Sequence, residues 1–188
     1  LRRSHLPHRF NQLFQNITRS DKDARCKQEW IDQCKRKGRG KSLVSSYDGP
    51  NLTVTGVDLA VSQSDAADET SFFTFEVLPT GERLILDVDT CKWDGPTIVD
   101  KLFSKHERYH SYIRVENNGC QEFIRQFALK RNIALPIRPH RTGVEKAHPE
   151  FGIEGLFIEL ANSAWIIPCN LFGECSPALQ RFLDSCLY

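Results

Sequence analysis

Two short runs in this chain put a carboxylate inside apolar, β-branched sequence: Val54-Thr55-Gly56-Val57-Asp58-Leu59-Ala60 and Tyr112-Ile113-Arg114-Val115-Glu116-Asn117. An ionised acid is costly among hydrocarbon neighbours unless a cation or hydrogen bonds compensate it, so Asp58 and Glu116 read as caps, ion-pair partners or metal ligands. Strand side chains alternate faces, which groups Asp58 with Val54 and Gly56, and Glu116 with Arg114 and Tyr112. If the two strands are parallel neighbours, the acids meet at their C-terminal ends, where open α/β sheets bind ligands. Two such charges repel unless a divalent cation sits between them, and hard oxygen donors favour Mg²⁺ or Mn²⁺.

The elements that must hold these residues follow from turn signals and periodicity. Tyr47-Asp48-Gly49-Pro50 breaks the chain, and three strand-like runs follow at 52–61, 72–78 and 83–89. The last two are joined by the hairpin signal Pro79-Thr80-Gly81, so the order predicts a three-stranded meander. Asp94-Gly95-Pro96 starts a helix in which Ile98, Val99, Leu102 and Phe103 share a face up to Tyr109. A strand at 112–116, an amphipathic helix from Gly119 to about Asn132 and a strand at 134–137 complete an alternating pattern. A further helix is expected over 21–34, and 179–187 is amphipathic.

Length and charge bound the function. The chain has 188 residues, 40% of them hydrophobic, enough for one domain with a substantial core. The net charge of +1 hides an asymmetry: residues 1–48 hold 12 Lys/Arg against 5 Asp/Glu, net +7, and the remainder 13 against 19, net −6. Much of the basic excess lies in Lys35-Arg36-Lys37-Gly38-Arg39-Gly40-Lys41, which reads as a phosphate-meeting patch or a solvated flexible linker. Gly40-Lys41-Ser42 resembles the end of a phosphate-binding loop, but Lys35 replaces the required first glycine and no strand precedes it, so an ATP site is excluded. No apolar run approaches the roughly 18 to 20 residues of a membrane span, and the start lacks a signal-peptide core, so no membrane partner is expected. Seven cysteines without Cys-x-x-Cys spacing read as reduced thiols. The sequons at Asn16 and Asn51 carry little weight without an export signal, and His106 and His110 read as surface residues near a helix end. Trp93, Trp165, Phe72 and Phe73 read as core or strand-face aromatics.

From about Leu52 to Tyr188 the chain resembles the C-terminal nuclease domain of phage large terminase subunits, of the ribonuclease H-like superfamily. The resemblance rests on Gly56-Val57-Asp58-Leu59-Ala60 followed by Ala67-Asp68-Glu69-Thr70; on Arg114-Val115-Glu116-Asn117-Asn118; and on Thr142-Gly143-Val144-Glu145-Lys146 leading to Gly152-Ile153-Glu154-Gly155-Leu156-Phe157 and Trp165-Ile166-Ile167-Pro168.

The resemblance implies an α/β ribonuclease H-like fold, with a mixed sheet of a three-stranded meander plus parallel strands, flanked by helices. It divides the chain into a basic lead-in at 1–48, corresponding to the tether from an ATPase domain, and a nuclease domain at 49–188 whose C-terminal end lies further on. Asp58 and Glu116 would be catalytic and would hold two Mg²⁺ or Mn²⁺ ions. One ion would activate a water and the other stabilise the leaving oxygen, about 3.5–4 Å apart. Asp68 would be an auxiliary ligand, and Lys146, Thr142 and Asn117 would contact DNA. The family's third acid is expected beyond Tyr188; Asp184 does not match its motif, and Asp65 and Glu69 read as solvated loop acids.

The implied reaction is endonucleolytic cutting of concatemeric double-stranded DNA in the host cytoplasm at the procapsid portal. The implied partners are the DNA, the terminase small subunit, the portal protein and the ATPase domain of the same parent chain. Competing readings are another ribonuclease H-like nuclease, such as a Holliday junction resolvase or a transposase-like enzyme, and a non-catalytic DNA- or portal-binding module. Retention of both acids favours chemistry.

Overall fold

A computed structural model describes residues 25–60, 69–116, 120–132, 135–140 and 153–187. A six-stranded mixed sheet organises them, built from β1 (Leu52–Asp58), β2 (Thr70–Val77), β3 (Arg83–Cys91), β4 (Tyr112–Glu116), β5 (Ile137–His140) and β6 (Trp165–Ile166) in the order β5-β4-β1-β2-β3-β6. The first three strands form the expected antiparallel meander, and β4, β5 and β6 pair parallel to their neighbours.

Five helices among the described residues cover the two faces: α1 (Gln28–Gly38), α2 (Gly95–Tyr109), α3 (Cys120–Lys130), α4 (Ile153–Ala161) and α5 (Pro177–Leu187). Under α2 and α3 the core contains Val57, Phe72, Val99, Leu102, Ile113 and Ile124. Ile31, Cys34, Ile85, Trp165, Leu179 and Leu183 build the core under α1, α4 and α5. The chain alternates between these cores because neighbouring strand residues face opposite ways: Phe72 enters the first, while Phe73 packs against the second.

Helix α2 starts where the sequence says it should. The Asp94 side chain accepts a hydrogen bond from the Thr97 amide at 2.9 Å, and hydrogen bonding to Thr97 holds its carboxyl below the usual range. The helix stops at His110, whose φ of 50° is left-handed and whose N–H closes on the His106 carbonyl at 2.8 Å. Nδ1 of His106 lies 3.0 Å from the Ser111 carbonyl, so this histidine serves the turn.

Several bounds differ from expectation. The N-terminal helix expected at 21–34 runs Gln28–Gly38, so half of the supposed flexible basic run is its last turn. Lys35 donates to Gln180 at 3.0 Å, and Lys37 pairs with Glu82 at 2.6 Å and also bonds the Ser163 carbonyl. Gly38 ends this helix against the strand-end backbone: a Cβ there would stand 2.0 Å from the Ile167 oxygen, so a side chain would force the helix off the sheet.

The lead-in drawn on charge at residues 1–48 therefore contains a segment, 26–47, that packs as part of the fold. Cys26, Ile31 and Cys34 are core residues, the Val44 amide bonds the Leu86 carbonyl at 3.2 Å, and Tyr109 Oη donates to the Val44 carbonyl at 3.0 Å. Tyr47 and Asn51 both donate to the buried Glu76 carboxylate, so the amide of the second sequon is already engaged. Strand β1 ends at Asp58 rather than 61, and the strand expected at 134–137 begins at Ile137. Helix α4 and strand β6 fall where the sequence offered motifs but no assigned element.

Six cysteines of the described residues are free thiols, as expected. Burial and the neighbouring Cys26 push the Cys186 thiol up to about 11 from 9.0. A raised thiol stays neutral in the folded chain while the unfolded chain ionises. Its contribution to stability is therefore complete below pH 9 and is lost as pH rises towards 11, at about 1.4 kcal/mol per pH unit. Urea unfolding of the wild type and Cys186→Ala between pH 8.5 and 11 is expected to show the gap between them closing by about 2 to 3 kcal/mol. A constant gap would refute the assignment.

Candidate active site

The register decides whether the two acids can act together. Strands β1 and β4 are parallel neighbours, with Val54 opposite Tyr112, Gly56 opposite Arg114 and Val57 opposite Val115. One step further along each strand stand Asp58 and Glu116, the last residues of β1 and β4. They are thus adjacent backbone positions, at equivalent places in the strand alternation, at the C-terminal ends of two parallel strands. This is the arrangement on which the sequence reading is conditional.

Cross-strand pairing extends that row. Asp58 pairs with Ser71, and Ser71 with Thr90. The row is polar throughout: Ser71 Oγ lies 3.2 Å from Thr90 Oγ1, which donates to Glu69 Oε2 at 3.1 Å. Behind it, Arg114, Gly56, Phe73 and Val88 form the next row across β4, β1, β2 and β3.

Both rows open into a groove of about 590 Å³ whose far wall is the α5 side chains Ala178, Arg181, Phe182 and Ser185. Phe73 meets Phe182 with ring centroids 4.8 Å apart and supplies the apolar floor. Gly56 leaves that floor bare beside Arg114; a Cβ there would have only the Phe73 carbonyl in reach, at 3.8 Å. Asp58 is exposed at the groove's mouth.

The other residues singled out from sequence are distributed as follows. Glu69, read as a solvated loop acid, lines the groove. Asp65, Asp68, Asn117, Thr142 and Lys146 lie outside the described residues. Asp184 is exposed on α5 and accepts from Gln180 at 2.7 Å, apart from the groove lining. His110 faces Asp48 at the surface, 3.6 Å away. Phe72 and Trp93 stack at 5.2 Å and Trp165 is buried among Phe73 and Phe75, so these aromatics are structural. Sequence reasoning missed Ser71, Thr90 and Arg181. Only the pairing of β2 with β3 and the docking of α5 bring them to the site.

Donor chemistry is the test of whether a cation fits. The acid positions 58 and 116 and the hydroxyls of Ser71 and Thr90 form an oxygen-only row, the donor type that hard divalent ions take. Among the described residues no cluster of three or more His, Cys, Asp or Glu gathers elsewhere or here. Asp58 and Glu116 would be the residues to hold such an ion.

No protein-family model matches the chain, and no curated protein matches it. Solved structures do. The large terminase nuclease from thermophilic phage G20c with bound zinc superimposes with a TM-score of 0.51 at 15% identity, covering 72% of this chain and 78% of that one. The human cytomegalovirus terminase nuclease domain gives 0.52 at 14% identity, covering 81% and 82%. The HK97 bacteriophage large terminase gives 0.53 at 13% identity over 87% of this chain, which spans 38% of the HK97 protein. With its mixed six-stranded sheet flanked by helices, the chain has the ribonuclease H-like fold of the terminase nuclease domains.

Proposed function

We propose that this chain is a metal-dependent endonuclease domain of the terminase type, hydrolysing phosphodiester bonds of concatemeric double-stranded DNA. The single observation that carries the reading is the register of β1 against β4, which makes Asp58 and Glu116 adjacent strand-end positions, with Asp58 lining a groove. Asp58 and Glu116 would hold Mg²⁺ or Mn²⁺, two ions in the complete site, with Asp68 as a further donor. A bound ion would supply acidification of a water and stabilisation of the departing oxygen. The acids at the strand ends would hold those ions, and the groove beside them, floored by Phe73 and Phe182, would receive the sugar-phosphate chain. Asn117, Thr142 and Lys146 would add DNA contacts.

The proposed setting is the host cytoplasm, at the procapsid portal, alongside the terminase small subunit, the portal protein and an ATPase domain of the same parent chain. The part of the basic segment 1–48 that precedes the packed residues 26–47 would lead from that ATPase domain. No helix among the described residues is long and apolar enough to cross a membrane.

Supercoiled plasmid incubated with Mn²⁺ and a chain extended past Tyr188, so that the family's third acid is included, tests the reading. Nicked and linear products that vanish on chelation are expected, with little sequence preference. Intact plasmid at micromolar protein in both Mn²⁺ and Mg²⁺ would overturn it.

A further inference from the structure

Two arginines share the groove with Asp58 and have no assigned role. Arg114 stands on β4, opposite Gly56 and two residues before Glu116, and Arg181 projects from α5 on the far wall. Both are exposed. Neither has an ion-pair or hydrogen-bond partner among the described residues, whereas Arg83 is paired with Glu159 at 2.8 Å and Arg131 with Asp100.

Electrostatics gives these two cations a task. The groove carries the carboxylates Asp58 and Glu69, and residues 49–188 are net −6, so a polyanionic strand is repelled unless cations stand at the groove itself. The bare surface at Gly56 leaves Arg114 unobstructed from the side of β1, and Phe73 and Phe182 make the floor between the two guanidinium-bearing walls apolar. A guanidinium presents a planar fork that matches two phosphate oxygens, a geometry an ammonium lacks.

Resting on the nuclease reading above, we propose that Arg114 and Arg181 form a two-sided clamp on the phosphates of the DNA strand at Asp58, one from the sheet and one from α5. They are positioning residues: they hold the backbone in register with the acids.

Binding isolates the clamp from cleavage. Anisotropy of a fluorescein-labelled 20-base-pair duplex is measured from 20 to 200 mM NaCl with the 188-residue chain carrying Asp58→Asn, so that cutting does not intervene. Removing the cation from one phosphate flattens the slope of log affinity against log salt by about 0.9, so Arg114→Ala and Arg181→Ala should each remove about 0.9 and the pair about 1.8. Arg114→Lys and Arg181→Lys should keep the slope while weakening affinity several-fold, because charge remains and the fork is absent. The control is Arg125→Ala on α3, on the opposite side of the sheet, which should leave the slope unchanged.

Circular dichroism melts verify folding, and Arg→Gln substitutions replace any Ala variant that melts early. A double-variant slope equal to that of Arg125→Ala overturns the clamp, as does undetectable binding by the Asp58→Asn chain at 20 mM NaCl. Failure of the nuclease reading is a separate result: no cleavage by the wild-type chain extended past Tyr188, with the slope change intact.

Discussion

Asp58→Asn is expected to reduce plasmid cutting by about three powers of ten or more while leaving the melting temperature unchanged. A cation at the strand ends contributes several kcal/mol of charge stabilisation to phosphodiester hydrolysis, and each 1.36 kcal/mol is a factor of ten in rate. The amide keeps the shape of the carboxylate but loses the charge that would retain the ion. Asp58 is exposed at the groove mouth, outside both apolar cores. Glu116→Gln, at the neighbouring position on β4, should have a comparable effect. Restoring Mn²⁺ to millimolar concentration should recover part of the lost rate, since weaker binding is offset by mass action. Cutting by Asp58→Asn at the wild-type rate would remove this groove from consideration as the site of chemistry.

The second large effect concerns stability and lies on the other face of the sheet. Lys105 of α2 is 8% exposed in its side chain and reaches Asp87 of β3 at 2.5 Å, with Asp89 3.9 Å away. Asp89 is itself held by Lys101 at 2.9 Å. Removing one partner of a buried pair strands the other charge, at about 3 to 5 kcal/mol, whereas replacing both by apolar groups is close to neutral. The Asp87 side chain is 22% exposed and Asp89 remains nearby, which places Asp87→Ala at the lower end, about 3 kcal/mol. Lys105→Met should cost far less, because Asp87 can turn to water, and Asp87→Leu with Lys105→Met should return to within about 1 kcal/mol of wild type. Urea denaturation of the four chains measures this. Equal losses from the two single substitutions would show that the charge on Lys105 is already well solvated.

Lys105 shares the helix face of Ile98, Leu102 and Tyr109, but no local pattern names the acids that compensate its buried charge. Its position is set by Phe72, whose ring lies 5.6 Å from the ammonium, and by two acids on a strand paired with that of Phe72. The supposed flexible basic run is a similar case. Lys35-Arg36-Lys37-Gly38 looks solvated in isolation, yet it is a helix end fastened by Gln180 and Glu82, residues 145 and 45 positions away. Long-range partners decide such segments, and local pattern carries no record of them.

What the sequence determined by itself is the set of elements and the acids that do not belong in them. Alternation of apolar residues at period two, the Pro79-Thr80-Gly81 turn and the Asp94 cap specify the meander and α2, because these are local steric and hydrogen-bonding preferences. Asp58 and Glu116 were conspicuous for the same reason: an acid inside a β-branched run violates the local pattern. Tertiary structure alone decided that β4 lies beside β1 rather than at a sheet edge, that Ser71 and Thr90 continue the row from Asp58, and that α5 brings Arg181 over the groove. Those juxtapositions join residues up to 123 positions apart, from Asp58 to Arg181, and depend on which apolar faces bury each other. Burial is non-directional, so the pattern that demands a partner does not name it.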